Sequence, residues 1–332
     1  MEKIAFISGG TFIYWSSIVM GLAVITAVCA FAALYYAKSN NALATGLMIP
    51  LSCVTSLVIS RLIHWYCRAD SYASFGVAMT DYSWGGYALM GVFAACILCA
   101  VILRRVKIVK NLPELFDSMA LAGGAGIALG RLASFFNTSD RGILVKETIG
   151  LPLAYPVTNA VSGLTENRLA TFFLQSLITG AIVLVLLVWY LYNRRTGKKI
   201  KDGDVALLFL AGYGASQILL DSTRYDSLFM RSNGFVSIVQ ILGLIALVLA
   251  LLIFSYRMVR DSGMRPWFIC LWVGTLAGMG LAGYMEYYVQ RHGDQALFAY
   301  SLMSLGLIIT VAITVAIRWI GETLRKPVPA EE

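Results

Sequence analysis

The stretch LFDSMALAGGAGIALGRLASFFN, residues 115–137, is apolar and rich in glycine until an arginine interrupts it near its end. Roughly 20 apolar residues suffice for a helix to cross a bilayer, so this stretch predicts a membrane-spanning helix. A guanidinium close to hydrocarbon is costly unless it pairs, reaches the headgroups or faces a water-filled cavity. Because the planar guanidinium also binds phosphate well, Arg131 suggests a site that handles phospholipid.

The composition of the whole chain is that of an all-α polytopic membrane protein. Hydrophobic residues make up 59% of the 332 residues and charged residues only 13%, and the mean hydropathy is +0.75. The charged residues cluster between long apolar runs. The runs predict about nine transmembrane helices, at 12–37, 43–66, 85–103, 115–136, 169–193, 204–222, 235–256, 266–288 and 296–319.

Lysine and arginine residues are unevenly distributed between the predicted loops. With the N-terminus outside, most of the 26 basic residues fall in cytoplasmic loops and helix ends, as the positive-inside rule requires. The C-terminus is then cytoplasmic as well. Contact of these loops with anionic lipid accounts for the net charge of +8, and we expect no nucleic-acid partner.

The chain is expected to have two parts. Residues 1–260 are predicted to form a seven-helix body, and residues 261–332 two further helices and a short cytoplasmic tail. The long outer segment at about 137–168 is too polar to cross the membrane. We interpret it as an arm over an outward-facing cavity, since long loops often carry function. A disordered hairpin is the alternative.

Three of the predicted helices carry an arginine with other polar residues near the outer end. On each helix these residues are three or four apart and therefore share one face. They are Arg61, His64 and Arg68 on the second span, Arg131, Ser134 and Asn137 on the fourth, and Gln217, Asp221 and Arg224 on the sixth. Each arginine alone is explained by contact with lipid headgroups, but together the three groups predict a shared polar pocket.

Short motifs in the same regions resemble signatures of a known family. The family has G-R-x-G-N-F-x-N-x-E and G-Y-G-x-x-R-x-x-x-E-x-x-R-x-x-D. The residues of this chain that match are Gly130, Arg131, Phe135 and Asn137, then Gly142 further on, and Gly212-Tyr213-Gly214 followed by Asp221, Arg224 and Asp226. Further matches are Ser60-Arg61-Leu62, Trp84-Gly85-Gly86-Tyr87 and Gln240-Ile241-Leu242. Over about residues 12–257 the chain thus resembles the prolipoprotein diacylglyceryl transferases.

The resemblance implies an enzyme of the bacterial plasma (inner) membrane. It would move diacylglyceryl from phosphatidylglycerol to the lipobox cysteine thiol of a lipoprotein precursor and release glycerol phosphate, without a metal or another cofactor. Arg131 would then be catalytic, because it can hold the departing phosphate. The residues that would bind substrate are Arg61, Ser134, Asn137, Gly142, Gln217, Asp221 and Arg224.

Several positions depart from the family pattern. The family's H-G-G motif falls on Met90-Gly91-Val92, one of its arginines falls on Gln217, and the closing glutamate of the first signature falls on Ser139. The histidine proposed as catalytic in that family is therefore missing. Thioether and amide side chains neither titrate nor carry charge, so these departures bear on turnover more than on the fold.

Two residues are candidates to replace the missing base. His64 lies one helical turn from Arg61, and Glu286 lies near the outer end of the eighth span. The alternative is a catalytically inactive paralogue that binds phospholipid or a lipoprotein precursor as a scaffold. A transporter is a third possibility, but it needs a polar pathway through cytoplasmic halves that are strongly apolar.

Overall fold

The computed structural model describes residues 3–81, 86–145, 150–158, 163–198, 200–230, 233–292 and 295–324. Most of them are helical. The helices are α1 (Trp15–Ser39), α2 (Ala42–Cys67), the short α3 (Phe75–Thr80), α4 (Leu89–Arg105), α5 (Leu112–Arg131), α6 (Thr171–Arg195), α7 (Asp204–Ser222), α8 (Ile238–Ser262), α9 (Phe268–Arg291) and α10 (Ala296–Thr323).

The all-α polytopic membrane fold that the sequence predicts is confirmed. Within the described ranges, eight helices are long and apolar enough to cross a membrane: α1, α2, α5 with the turn that follows it, and α6 to α10. The predicted third span, 85–103, corresponds to α4, which has 17 residues and is shorter than the other eight. The orientation with the N-terminus outside stays a prediction, and the tail from residue 325 lies outside the described residues.

Strands occur only as short antiparallel pairs in the part of the chain that the structure describes. They are β1 (Ile4–Ser8) with β2 (Thr11–Tyr14), β3 (Ala154–Thr158) with β4 (Thr165–Leu169), and β5 (Phe229–Met230) with β6 (Asn233–Ser237). The β3–β4 pair lies in the segment predicted as an arm, with Ala154 opposite Leu169 and Thr158 opposite Thr165. Whether this segment covers a cavity stays a prediction.

The chain forms two compact units. The first unit contains residues 1–206 and 223–239, and the second contains residues 207–222 and 240–332. In the first unit α1 packs on α5, α2 on α4, and α5 on α6. In the second unit α9 and α10 pack closely, since a Cβ added to Gly278 would lie 2.7 Å from the backbone oxygen of Gly306. The predicted boundary near residue 260 stays a prediction.

The end of α5 is fixed by aromatic packing. After Arg131 the helix tightens into a 3-10 turn, Leu132–Phe136, so that the next residues leave the helix axis. Phe135 packs edge-on against Phe172 at 4.7 Å between ring centroids, and Phe136 stacks on Trp15 at 6.1 Å. These contacts within the first unit place the polar residues that follow.

A buried carboxylate at the other end of α5 caps α7. Asp117 is 3% exposed, and its two carboxylate oxygens accept hydrogen bonds from the backbone N–H groups of Gly203 (2.8 Å) and Ala206 (2.9 Å). The first N–H groups of a helix have no partner within the helix. Asp117 therefore satisfies donors at the start of α7 that would otherwise be buried without an acceptor.

Replacing Asp117 with alanine is expected to lower the free energy of unfolding by about 1–3 kcal/mol, because it leaves buried N–H groups unpaired. Asp117→Asn keeps one acceptor oxygen and should lie between alanine and the wild type. Thermal unfolding of the purified protein in detergent measures the effect, with Asp70→Asn at an exposed position as the matched control. An unchanged unfolding temperature for Asp117→Ala would show that this cap does not contribute.

Candidate functional site

One carboxylate oxygen bridges two arginines beyond the end of α5. Oδ1 of Asp140 lies 2.7 Å from Nη1 of Arg131 and 2.7 Å from Nη2 of Arg224. The hydroxyl of Ser134 donates to Oδ2 of the same carboxylate at 3.0 Å. All three partner side chains are largely or fully buried. The structure thus brings together three residues that the sequence predicted for one site, around a fourth that it did not.

A second carboxylate holds Arg224 from the other side. Oδ1 of Asp226 accepts from Nε of Arg224 at 2.9 Å, and Oδ2 of Asp226 accepts from the backbone N–H of Asp140 at 2.9 Å. Nη2 of Arg68 donates to the backbone oxygen of Ser227 at 3.2 Å. The outer end of α2 is thereby joined to the same cluster, which we call the arginine cluster (Arg131, Ser134, Asp140, Arg224 and Asp226).

The charge of Asp140 is stabilised by its surroundings. Burial raises the pKa of this carboxyl, but the positive charges of Arg131 and Arg224 and the hydrogen bonds from Arg131 and Ser134 outweigh burial and lower the pKa to about 2. The carboxylate is therefore ionised at neutral pH. A carboxylate with so low a pKa is a weak base.

Sequence reasoning missed Asp140, although the sequence carried a signal for it. The first signature of the family closes with a glutamate, which falls on Ser139, and the acidic residue of this chain follows one position later. Asp140 adopts a left-handed backbone conformation, with φ of +57°. That conformation turns the chain sharply and is uncommon except for glycine, asparagine and aspartate, and helical spacing does not predict it.

Arg141, which the sequence analysis also missed, holds the turn in place. It is 2% exposed, and its Nη2 donates to the backbone oxygens of Ser134 (2.9 Å) and Asn137 (2.7 Å). Its guanidinium lies over the rings of Phe172 and Tyr155, at 4.4 and 4.6 Å from their centroids. Such cation–π contacts stabilise a buried cation, so Arg141 connects the turn to β3 and α6.

Asn137 and Gly142, both predicted to bind substrate, shape the backbone around the arginine cluster. The side chain of Asn137 accepts from the backbone N–H of Ser139 at 2.9 Å. Gly142 donates its N–H to the backbone oxygen of Leu169 at 2.7 Å and pairs with Arg224 in an antiparallel bridge. A direct contact of either residue with substrate stays a prediction.

Arg61, a predicted substrate-binding residue, contacts the loop region between α2 and α4, which contains the short α3. Its guanidinium donates to the backbone oxygens of Ala78, Asp81 and Gly86 and lies over the ring of Tyr72, 5.2 Å from the centroid. These contacts favour a role in holding the loop. Binding of substrate by Arg61 stays a prediction, and Trp84 and Gly85 of the neighbouring motif lie outside the described residues.

His64 is hydrogen-bonded to a tyrosine of the same loop. Its Nδ1 lies 2.9 Å from the hydroxyl of Tyr72, and a Cβ added to Gly86 would lie 3.1 Å from that nitrogen. Such a partner fixes the orientation of the imidazole. Nε2 is then the ring nitrogen that is not held by Tyr72. Met90, at the position of the family histidine, is buried on the first turn of α4.

The other predicted site residues lie in the second unit. Gln217 and Asp221 on α7 are each 1% exposed, and Nε2 of Gln217 lies 3.4 Å from the hydroxyl of Ser216. Glu286 on α9 is 7% exposed and accepts from Nε2 of Gln290 at 3.0 Å. Their parts in binding or catalysis stay predictions.

Comparisons with known proteins agree with the motifs. The family model described as prolipoprotein diacylglyceryl transferase matches residues 3–256, so α9 and α10 lie beyond the match. Three similar proteins are each named phosphatidylglycerol–prolipoprotein diacylglyceryl transferase. They come from Finegoldia magna (26% identity over 79% of this chain and 99% of the relative), Ligilactobacillus salivarius (26% over 75% and 90%) and Parasynechococcus marenigrum (24% over 64% and 77%).

These names support an active transferase and give no support to the inactive paralogue. The match begins near the N-terminus and includes α1 to α7 and most of α8, so it takes in the whole arginine cluster. The chain belongs to the prolipoprotein diacylglyceryl transferase family.

Proposed function

We propose that this protein is a phosphatidylglycerol–prolipoprotein diacylglyceryl transferase of the bacterial plasma (inner) membrane. Its substrates are phosphatidylglycerol and the lipobox cysteine of a lipoprotein precursor. The observation that carries the proposal is the pair of guanidinium groups, Arg131 and Arg224, that bind a single carboxylate oxygen at 2.7 Å each. Two cations converging on one anionic oxygen are what a phosphate ester requires of its site.

Negative charge develops on the departing phosphate during the reaction, next to these arginines. The thiol sulfur attacks the terminal glyceryl carbon of the diacylglyceryl group, a C–S bond forms, and the bond from that carbon to the phosphate oxygen breaks. The proton of the thiol goes to a base, and the bonding electrons leave with glycerol phosphate. The phosphate gains negative charge in this step, so Arg131 and Arg224 stabilise the transition state more than the bound lipid.

The neighbouring polar residues support the arginines. Ser134 donates to Asp140, and Asn137 and Arg141 hold the turn on which Ser134 lies. Because the hydroxyl of Ser134 is bound to Asp140, the role of Ser134 is to hold the arginine cluster in place. Asn137 lies on the same turn and is a candidate to orient the headgroup hydroxyls of phosphatidylglycerol.

His64 is the base in this proposal. A free cysteine thiol has a pKa of about 8.5, so the attacking thiolate needs a proton acceptor near neutral pH. The chain has two histidines, and of these His64 lies in the first unit, on the last turn of α2. Arg68 directly follows this helix and donates to the loop after Arg224. Its hydrogen bond to Tyr72 holds the ring.

Replacing His64 with glutamine is expected to reduce the transfer rate by about 100-fold to 10,000-fold, the usual contribution of a general base. His292→Gln is the matched control and should keep the wild-type rate, because His292 stacks on Tyr288 beyond the family match. Initial rates against pH give a second readout, since the variant should lose the pH-dependent limb that titration of the base would produce. A His64→Gln rate equal to that of His292→Gln would exclude His64 as the base.

A transfer assay with different donor lipids tests the proposed function. The full chain, purified in detergent, is mixed with a lipobox peptide and either phosphatidylglycerol or phosphatidylcholine, and the peptide mass is measured. We expect the mass of one diacylglyceryl group to be added with phosphatidylglycerol but not with phosphatidylcholine, and no addition when the lipobox cysteine is serine. A folded protein that leaves the cysteine peptide unmodified would contradict the proposal.

A further inference from the structure

We propose that Asp140 is an internal competitor for the phosphate site: its carboxylate binds Arg131 and Arg224 in the resting enzyme, gives way to the lipid phosphate, and returns as the product leaves. This inference rests on the proposed function and adds to it a device that sets the affinity of the site for anions. This position of the carboxylate differs from the family motif, because Ser139 replaces the family glutamate and the carboxylate is that of the next residue.

The geometry of the arginine cluster carries the inference. A phosphate bound between Arg131 and Arg224 would place one of its oxygens where Oδ1 of Asp140 now lies, at 2.7 Å from each guanidinium. Two anionic oxygens cannot share that point, since like charges at contact distance repel strongly. Binding of the lipid phosphate therefore requires that the Asp140 carboxylate leave at least one of the two arginines.

The backbone of Asp140 is anchored independently of its carboxylate. Its N–H donates to Oδ2 of Asp226 at 2.9 Å, and its φ is +57°. The following residue is fixed as well, because the guanidinium of the buried Arg141 lies over the rings of Tyr155 and Phe172. The side chain can therefore rotate away from the arginines while the turn keeps its shape.

An internal competitor would help the product to leave. Phosphatidylglycerol carries one negative charge on its phosphodiester, whereas the released glycerol phosphate is a monoester with about −1.5 to −2 charges at pH 7. Without the Asp140 carboxylate, Arg131 and Arg224 would hold this product more tightly than the substrate. A tethered carboxylate that pairs with both arginines lowers the affinity for each anion and so shortens the time for which the product stays bound.

The variant Asp140→Asn removes the charge and little else. Asparagine has the same shape and tolerates the left-handed backbone as well as aspartate does. It can still accept a hydrogen bond from Ser134. Asp226→Asn is the comparison, because Asp226 contacts Arg224 and is not the bridge to Arg131. Asp70→Asn removes an exposed carboxylate and serves as the matched control.

The test is titration calorimetry of the purified full chain with glycerol phosphate and, separately, with inorganic phosphate, together with transfer kinetics. For Asp140→Asn we expect binding of both anions to tighten by about tenfold, within the usual range of coupling between two competing groups. We also expect a lower KM for phosphatidylglycerol, a lower kcat and stronger inhibition by glycerol phosphate. Asp226→Asn should show a smaller tightening, and Asp70→Asn none.

Unchanged or weaker anion binding by a folded Asp140→Asn would overturn the inference, because a merely structural carboxylate predicts that result. If Asp140→Asn does not fold, Ser134→Ala replaces it. That variant removes a hydrogen bond that holds the carboxylate, and it should tighten anion binding to a lesser degree; unchanged or weaker binding would again overturn the inference. The proposed function fails separately, if the wild type binds glycerol phosphate but transfers nothing.

Discussion

Replacing Arg131 with glutamine is expected to lower kcat/KM for diacylglyceryl transfer by about 1,000-fold, while the protein stays folded. Removal of one preorganised donor from a site of developing negative charge costs about 100-fold to 1,000-fold in other enzymes, and this donor also carries a full charge. The fold should persist because Asp140 keeps its contacts with Arg224 and Ser134. Initial rates of peptide modification measure the effect.

Two variants make the Arg131 prediction specific. Arg131→Lys keeps the charge but not the planar fork, so its rate should lie between those of the wild type and Arg131→Gln. Arg105→Gln removes an exposed arginine at the end of α4 and should keep the wild-type rate. If Arg131→Gln stayed within a few-fold of the wild type, the phosphate would have to be held elsewhere.

Gly142→Ala is expected to lower the free energy of unfolding by about 3 kcal/mol, at the upper end of overpacking effects. A Cβ at this position would lie 2.4 Å from Oγ1 of Thr171, 2.9 Å from Cβ of Leu169 and 3.2 Å from the backbone oxygen of Thr223. These three atoms belong to α6, β4 and the segment that carries Arg224. Because all three would have to move apart, the arginine cluster should lose its geometry and transfer should fall with stability.

The control for Gly142→Ala is Gly123→Ala on α5. A Cβ at Gly123 meets nothing within 4 Å, so this variant should be neutral or slightly stabilising, since alanine is the better helix former. Thermal unfolding and transfer rates of both variants are compared with the wild type. An unfolding temperature for Gly142→Ala equal to that of Gly123→Ala would show that the close approach at residue 142 is unimportant.

The sequence predicts the helices well because their signal is local. An apolar run of about 20 residues identifies a span without reference to the rest of the chain, and the observed helices agree with the predicted spans to within a few residues at most ends. The shorter α4 shows the limit of this signal. The predicted run began at residue 85, whereas the helix begins at Leu89, after a segment whose Gly86 carbonyl accepts from Arg61.

The candidate site was predicted only in part, because its decisive contacts are not local. Arg131 and Ser134 are recognisable on one helix face, but the pairing of Asp140 with Arg224 joins residues 84 positions apart and depends on tertiary structure. Asp140 and Arg141 lie beyond the helical period, in a turn that no spacing rule covers. Conversely, Arg61 shares a face with His64 as predicted, yet its guanidinium donates to backbone oxygens of the segment between α2 and α4.

The stoichiometry of the two products in one sample distinguishes a transferase from a protein that only binds phospholipid. Purified wild-type protein is incubated with phosphatidylglycerol and a lipobox peptide, and the diacylglyceryl peptide and free glycerol phosphate are quantified together by mass spectrometry. We expect equal molar amounts of both, and neither product when the peptide cysteine is replaced by serine. Glycerol phosphate without modified peptide, or no product from a folded protein, would contradict it.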